Sequence, residues 1–182
     1  MTKTAPSCRF ALPNIREIRP FLTEHAAQLL VQAPVISRLD YCDALSAGLP
    51  SRTIKPLQTI QNAAARLVFD KPNRAHVTPL FIALRWLPVA ARIEFKTLML
   101  AYGTAAGPAP AYLRSLARIY TPSRSLRSAS ERRLVVPSQR GMKSLSRTFS
   151  FTIRGCWNDL PTPIRNADSL TTFKRLPKTH LF

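Results

Sequence analysis

The high proline content is the feature that most limits what this chain of 182 residues can fold into. The chain has 16 prolines and only 5 glycines. Proline lacks a backbone N–H, so it ends or kinks a helix, and it biases the preceding residue away from helical geometry. Because 46% of the residues are hydrophobic, the chain still has enough apolar material for a modest core. The sequence therefore predicts a mostly α fold, a bundle of short helices joined by stiff extended connections.

Apolar residues at helical spacing indicate where these helices lie. Thr23 can cap an early helix, and Pro34 predicts a kink or a break near Ala33 before the apolar pattern resumes as far as Ala47. Five further helices are expected: Ile54–Val68, Thr78–Trp86, Pro88–Tyr102, Pro110–Ile119 and Ser169–Pro177. The helix after Pro88 is apolar on more than one side, which indicates that it is the central, most buried element.

The last third of the chain has a different character, because residues 122–147 form a tail rich in arginine, serine and proline. Two β-like patches lie in or beside it, Leu134–Val136 and Thr148–Ile153, and the second alternates apolar residues on one face. We expect them to pair as a small β hairpin around a long mobile loop. The sequence thus divides into a helical segment, a helical core, and a basic extension with the β patch and a terminal helix: residues 1–70, 75–120 and 121–182.

Charge is the feature that bears most directly on function. The chain has 27 basic and 9 acidic residues, a net charge of +18. Residues 111–182 alone carry 14 basic and 3 acidic residues. So many positive side chains repel one another in the compact state, and a polyanion usually neutralises them. Nucleic acid is therefore the leading interpretation, ahead of a merely solvated surface and of an acidic membrane surface.

A run of cations in this region is the candidate binding site, and Glu131 is the one acidic residue within it. Arginine dominates the run, and its guanidinium suits bidentate phosphate contact and stacking on bases. Because no feature reads base sequence, binding to RNA or DNA is expected to be nonspecific and salt-sensitive. The candidate residues are Arg114, Arg118, Arg124, Arg127, Arg132, Arg133, Arg140, Lys143, Arg147 and Arg154.

Aromatic residues are interleaved with this run, and they have two possible roles. They can stack on unpaired bases, which is how many single-strand-binding proteins use exposed rings. Packing in the core is the more ordinary role, and it is the one we expect for most of them. The residues concerned are Tyr112, Tyr120, Phe149, Phe151 and Trp157.

Motifs for catalysis or cofactor binding are absent from the sequence, which has no GxxxxGKS/T, GxGxxG, GxSxG or HExxH. Asp40 and Asp43 would share a helix face but lack the further ligands that a catalytic metal needs. Cys8, Cys42 and Cys156 are widely spaced and without CxxC, which favours reduced thiols and no zinc site. We expect no enzymatic activity, no cofactor and no membrane partner, in an intracellular protein, nuclear or cytoplasmic, that is not secreted.

Short strings, taken in order along almost the whole chain, resemble one family. Together they are similar to the region that follows the polymerase palm in LINE-type (non-LTR) retrotransposon reverse transcriptases. Pro34, Cys156 and Pro177 depart from that family's pattern. The strings are SRLDYCD at 37–43, AGLP at 47–50, IQNAAARL at 60–67, HVTPL at 76–80, RWLPV at 85–89, APAYL at 109–113, WNDLP at 157–161 and KTHLF at 178–182.

The resemblance implies that residues 10–70 correspond to the thumb, the helical piece that grips the template–primer duplex. Residues 75–182 would correspond to the C-terminal extension that holds element RNA or target DNA. The paired aspartates of the polymerase belong to the palm, so the polymerase reaction is not carried over. The function expected is that of a non-catalytic reverse transcriptase remnant that binds RNA or DNA without sequence specificity. The alternative is a decayed open reading frame with no selected function, or one retained only for protein contacts.

Overall fold

The computed structural model describes residues 4–41, 46–106, 109–114, 118–122, 124, 131–136 and 149–181. Of the residues that can be interpreted, 73% are helical, which confirms the mostly α fold. None of the helices in these ranges is both long and apolar enough to cross a membrane. The helices are α1 (Thr4–Ile18), α2 (Glu24–Val31), α3 (Ser37–Asp40), α4 (Ser51–Val68), α5 (Thr78–Leu84), α6 (Val89–Ala106), α7 (Ala111–Arg114), α8 (Phe149–Asp159), α9 (Thr162–Arg165) and α10 (Leu170–Leu181).

The chain forms two compact units, and the division between them falls inside α6. The segmentation expected from the sequence instead places its boundaries near residues 70–75 and 120–121. The first unit contains Met1–Asp43 with Leu49–Arg92, and the second contains Ala44–Gly48 with Ile93–Phe182.

The first unit begins with α1, α2 and α3, and a threonine cap and a proline shape this part of the chain. Thr23 caps α2, because its hydroxyl accepts a hydrogen bond from the Ala26 amide at 3.2 Å. Pro34 lies in a π-helical segment, Gln32–Ile36, so the proline widens the helix without ending it. The apolar face continues through the wide turn, because buried residues recur four apart: Val31, Val35 and Leu39.

Helix α4 packs against α1, α2 and α5 in the first unit. Its stripe of buried residues follows the helical spacing that the sequence shows. Arg19 closes its carboxyl end by donating from Nε to the Leu67 carbonyl at 3.0 Å and from Nη2 to the Val68 carbonyl at 2.8 Å. These carbonyls would otherwise lack intrahelical partners. The buried stripe comprises Leu57, Ile60, Ala64, Leu67 and Val68.

Aromatic side chains form the core of the second unit. The rings of Tyr102 and Phe173 stack with their centroids 4.4 Å apart, and Trp157 lies 5.7 Å from Phe173. Trp157 and Phe173 are almost completely buried, and Leu98 and Ile153 surround them in the same cluster. Residues of α6, α8 and α10 therefore share one core, and α6 contributes to it as its apolar composition predicts.

The β hairpin predicted from the sequence is wrong for the residues that the structure describes. Residues 149–153 belong to α8, and Leu134 instead forms an isolated antiparallel bridge with Ile119. The alternating apolar residues of the second patch are part of a longer pattern, because Ile153, Trp157 and Leu160 recur at helical spacing and are all buried. Burial of this helical stripe outweighs the strand preference of the shorter alternation.

Two helix boundaries also differ from those expected. Among the described residues the helix after Pro110 covers Ala111–Arg114, and the chain at residues 118–120 is extended. Pro177 does not end the last helix, which continues to Leu181. Pro177 is fully buried one turn after the buried Phe173, so apolar packing offsets the backbone hydrogen bond that the proline cannot make.

Removing the Phe173 ring should destabilise the second unit strongly. We expect Phe173→Ala to lower the free energy of unfolding by about 3–5 kcal/mol, because the ring contacts both Tyr102 and Trp157 in a closed core. Phe21→Ala is the matched control, because Phe21 is 87% exposed and its loss should change the free energy by less than about 0.5 kcal/mol. Urea unfolding followed by circular dichroism measures both. Equal midpoints for the two variants would contradict this description of the core.

Candidate nucleic-acid interface

The structure describes six of the ten basic residues that the sequence predicts as a binding site, and it distributes them over several elements. Arg114 is the last described residue of α7, Arg154 lies within α8, and the other four lie outside the described helices; the backbone of Arg132 has a left-handed φ of 48°. Those four are Arg118, Arg124, Arg132 and Arg133. Outside the described residues lie Arg127, Arg140, Lys143 and Arg147.

Two short extended segments, residues 118–120 and 133–135, pair antiparallel; we call this pair the ribbon. The Tyr120 amide donates to the Arg133 carbonyl at 2.7 Å, and the Val135 amide donates to the Arg118 carbonyl at 2.9 Å. The pair is centred on Ile119 and Leu134, which stand opposite each other. Because side chains alternate along a strand, those two share the inner face of the ribbon. The outer face consists of Arg118, Tyr120, Arg133 and Val135.

The inner face of the ribbon is attached to the end of α8. Leu134 is 2% exposed and packs into the aromatic core of the second unit. The Trp157 indole donates to the Arg132 carbonyl at 2.7 Å. The Asn158 side chain accepts from the Leu134 amide at 2.9 Å and donates to the Leu134 carbonyl at 3.0 Å. An isolated two-stranded ribbon is at best marginally stable in water. Here the Asn158 side chain supplies the acceptor and the donor that the backbone of a third strand would otherwise supply.

Glu131, the single acidic residue of the basic run, is shared between two guanidinium groups. It accepts a hydrogen bond from Arg133 Nε at 2.7 Å, and it lies 3.6 Å from Nη2 of Arg165. Burial lowers the pKa of the Arg165 guanidinium, the charge of Arg133 lowers it further, and Glu131 partly offsets both effects. One carboxylate thus lies beside two guanidinium groups, so cationic side chains outnumber anionic ones in this group.

The outer face of the ribbon is positive and open to solvent. Arg118 is exposed, the Arg133 side chain is 52% exposed and Tyr120 is 45% exposed. Arg124 and Arg132 are exposed on the segments that continue from the two strands. Among the residues that the structure describes, Arg118, Arg124 and Arg132 have no carboxylate partner. Their guanidinium groups can therefore take an anion without first breaking an ion pair.

Two of the predicted binding residues lie on helices. Arg114 donates from Nε to the Ala109 carbonyl at 2.8 Å, which closes the short helix α7. Arg154 is half-buried on α8. Neither residue lies on the ribbon, so among the described candidates its outer face holds Arg118 and Arg133.

The aromatic residues interleaved with the basic run also separate into two groups. Trp157 is a core residue, at 1% exposure, and Phe151 is half-buried. Tyr112 is 69% exposed, and Tyr120 is exposed on the ribbon. The side chain of Phe149 lies outside what the structure describes. Core packing therefore accounts for Trp157 but not for the two tyrosines.

A second basic group lies in the first unit, and it was not singled out from the sequence. Arg16, Arg66 and Lys71 line a cavity of about 230 Å³ at the carboxyl end of α4, together with Asp70. The packing of α1 on α4 brings Arg16 close to residues that are distant in the chain. The only sequence signal for this group is that each cation lies near the expected end of a helix.

The carboxylates and thiols considered from the sequence form no reactive site in the described parts of the chain. Asp40 forms an ion pair with Arg92, whose Nη2 also donates to the Leu87 carbonyl at 3.2 Å. Asp43 lies outside the described residues. No group of three or more histidine, cysteine, aspartate or glutamate side chains could hold a metal ion in the ranges that the structure covers.

Comparisons with protein-family models, with curated proteins and with solved structures find no match for this chain. Its function is therefore argued from geometry and charge. The ribbon is the structural feature most relevant to function, because it places two arginines and a tyrosine on one exposed face and is hydrogen-bonded to the end of α8.

Replacing Asn158 should loosen the ribbon without unfolding the second unit. In Asn158→Ala the Leu134 amide and carbonyl lose both partners, so we expect amide hydrogen exchange in residues 131–136 to accelerate about tenfold or more, as for a loss of roughly 1.5 kcal/mol or more. Asn73→Ala is the control, since Asn73 is exposed in the first unit. Exchange measured by mass spectrometry tests this. Unchanged protection of residues 131–136 would contradict the role of Asn158.

The Cys156 thiol should resist alkylation in the folded protein. Burial raises its pKa to about 11, and the carboxylates of Glu94 and Asp159 contribute in the same direction. At pH 8 the reactive thiolate should be about one hundredfold less populated than in the unfolded chain. The raised pKa favours the folded state below pH 9, and this contribution is lost as the pH rises towards 11. Mass spectrometry after iodoacetamide treatment, with and without urea, measures the ratio; equal labelling would contradict this assignment.

Proposed function

We propose that this chain is a non-catalytic, nucleic-acid-binding segment of the type that follows the palm in LINE-type reverse transcriptases. It binds RNA or DNA through contacts between exposed arginines and phosphates, without reading base sequence. The observation that supports this best is the outer face of the ribbon, where Arg118 and Arg133 lie on one side of a fixed backbone. A compartment that contains nucleic acid, nuclear or cytoplasmic, goes with this proposal.

The charges around the ribbon favour a polyanion as partner. Arg124 and Arg132 add two exposed guanidinium groups on the segments next to the strands, and Glu131 is the only described carboxylate that contacts Arg133. A phosphate strand would relieve the repulsion between these cations and release the counterions condensed on it. Contacts of this kind hold the backbone of the nucleic acid and carry no base specificity.

A second candidate function is that the chain serves only protein contacts. Exposed apolar side chains of the first unit favour it, because Phe10 is 75% exposed and Phe21 is 87% exposed. Large exposed apolar residues are found at protein–protein interfaces. This alternative predicts no salt-dependent affinity for an oligonucleotide, whereas the leading proposal requires one.

The logarithm of the association constant for a 20-nucleotide oligonucleotide should fall linearly with the logarithm of salt concentration, with a slope of about 0.7–0.9 for each phosphate neutralised. Arg118→Gln with Arg133→Gln should weaken binding to every sequence alike. It should also reduce the salt slope by about 1.4–1.8, as expected for two lost phosphate contacts. Fluorescence anisotropy over a series of salt concentrations gives both quantities.

A variant with the same charge change elsewhere in the second unit is the control. Lys174→Gln with Arg175→Gln removes two exposed cations from α10 and should leave most of the affinity intact. Equal losses in the two double variants would mean that total charge decides binding and that the ribbon does not. If the unaltered chain fails to bind any oligonucleotide at low salt, the nucleic-acid proposal is refuted and the protein-contact function is favoured.

A further inference from the structure

The position of Tyr120 on the ribbon bears on which form of nucleic acid is bound, and the argument rests on the proposed function. Tyr120 stands directly across from Arg133, because its amide donates to the Arg133 carbonyl in the antiparallel pair. Arg118 is two residues away on the same strand and therefore on the same face. Tyr120 thus occupies a position next to two arginine positions on the same face, with the Cα spacing usual in a sheet, about 5.5 Å across the pair and about 7 Å along the strand.

The Tyr120 ring is not part of the buried core cluster of the second unit. It is 45% exposed, whereas the core rings of the same unit, Trp157 and Phe173, are almost completely buried. The close ring contacts in the described part of this unit involve Tyr102, Trp157 and Phe173 with one another, and Lys178 with Phe95. An exposed ring beside cations is the arrangement by which single-strand-binding proteins stack bases and hold phosphates.

We infer that the outer face of the ribbon is a site for single-stranded RNA or DNA, where the Tyr120 ring stacks on an unpaired base while Arg118 and Arg133 contact the neighbouring phosphates. A base must be out of a duplex to offer its face to a side chain, so this site favours single strands. The stacking is sequence-tolerant, because every base has a π face, and it adds to phosphate contact without conferring base specificity.

Insertion of the ribbon into a duplex groove is the competing geometry, since a two-stranded ribbon fits the major groove of DNA. The attachment of the ribbon argues against it. Leu134 is buried in the core, and Asn158 and Trp157 hold the backbone of residues 132–134 against α8. Leu134 of the inner face is therefore buried against the unit, and the backbone of its strand is held there.

The experiment compares one oligonucleotide sequence in three forms, using the full chain and fluorescence anisotropy at low salt. The forms are a single strand, the corresponding duplex, and a single strand with abasic residues that keeps every phosphate. The unaltered chain should bind the single strand at least about fivefold more tightly than either other form, the lower limit expected for stacking of one base. If the chain binds the single strand and the duplex with equal affinity, and that affinity has the expected salt dependence, this inference is overturned and the proposed function stays intact. No binding to any form would refute both.

Variants at Tyr120 test whether this ring provides the preference. Tyr120→Leu should lower affinity for the normal single strand by at least about fivefold and leave affinity for the abasic strand unchanged. Tyr120→Phe keeps the ring and should bind like the unaltered chain. A Tyr120→Leu variant that keeps full preference for the normal strand would assign stacking to another residue and overturn the inference.

A measurement on the unaltered chain keeps the test decisive if Tyr120→Leu disturbs the fold. Photo-crosslinking to a single strand that contains 5-bromouracil, followed by peptide mass spectrometry, identifies the residue that contacts the base. The crosslink is expected at Tyr120. Crosslinks found only at other residues would contradict stacking at this site, whatever the variants show.

Discussion

The pair of hydrogen bonds between the Asn158 side chain and the backbone of Leu134 is the interaction on which the candidate interface depends. It replaces a missing third strand, and with the indole bond of Trp157 it joins an irregular basic segment to a well-packed helix. Trp157 and Asn158 are adjacent at the end of α8, so this one helix end fixes the backbone at both Arg132 and Leu134. The orientation of the outer face is therefore set by the core of the second unit.

Arginine serves two distinct purposes in this molecule, and net charge alone cannot separate them. Arg19 closes the end of α4, Arg92 pairs with Asp40, and Arg165 is buried beside Glu131. These guanidinium groups satisfy carbonyls and carboxylates inside the fold. Arg118 and Arg132 are exposed and have no such partner in the described ranges. The charge available to a polyanion is thus smaller than the total of +18.

The sequence predicts the helices well where local signals decide them, and poorly where distant contacts do. The stripe of α4 and the Thr23 cap follow from spacing and side-chain chemistry alone. Pro177 was expected to end a helix, but its burial keeps it inside α10. The bridge between Ile119 and Leu134 joins residues far apart in the chain, and its hydrogen bonds to α8 depend on α8 being helical. No local pattern in the basic run could therefore predict which arginines share a face.

The most direct test of the account is a map of backbone and side-chain amide NMR shifts during titration with a short single-stranded oligonucleotide. The account predicts that the largest shifts cluster at residues 118–120 and 133–135 and at the side-chain amide of Asn158, with small shifts around Phe173 and throughout the first unit. Shifts that are largest in the first unit, or a titration that moves no resonance, would contradict the assignment of the ribbon as the binding site.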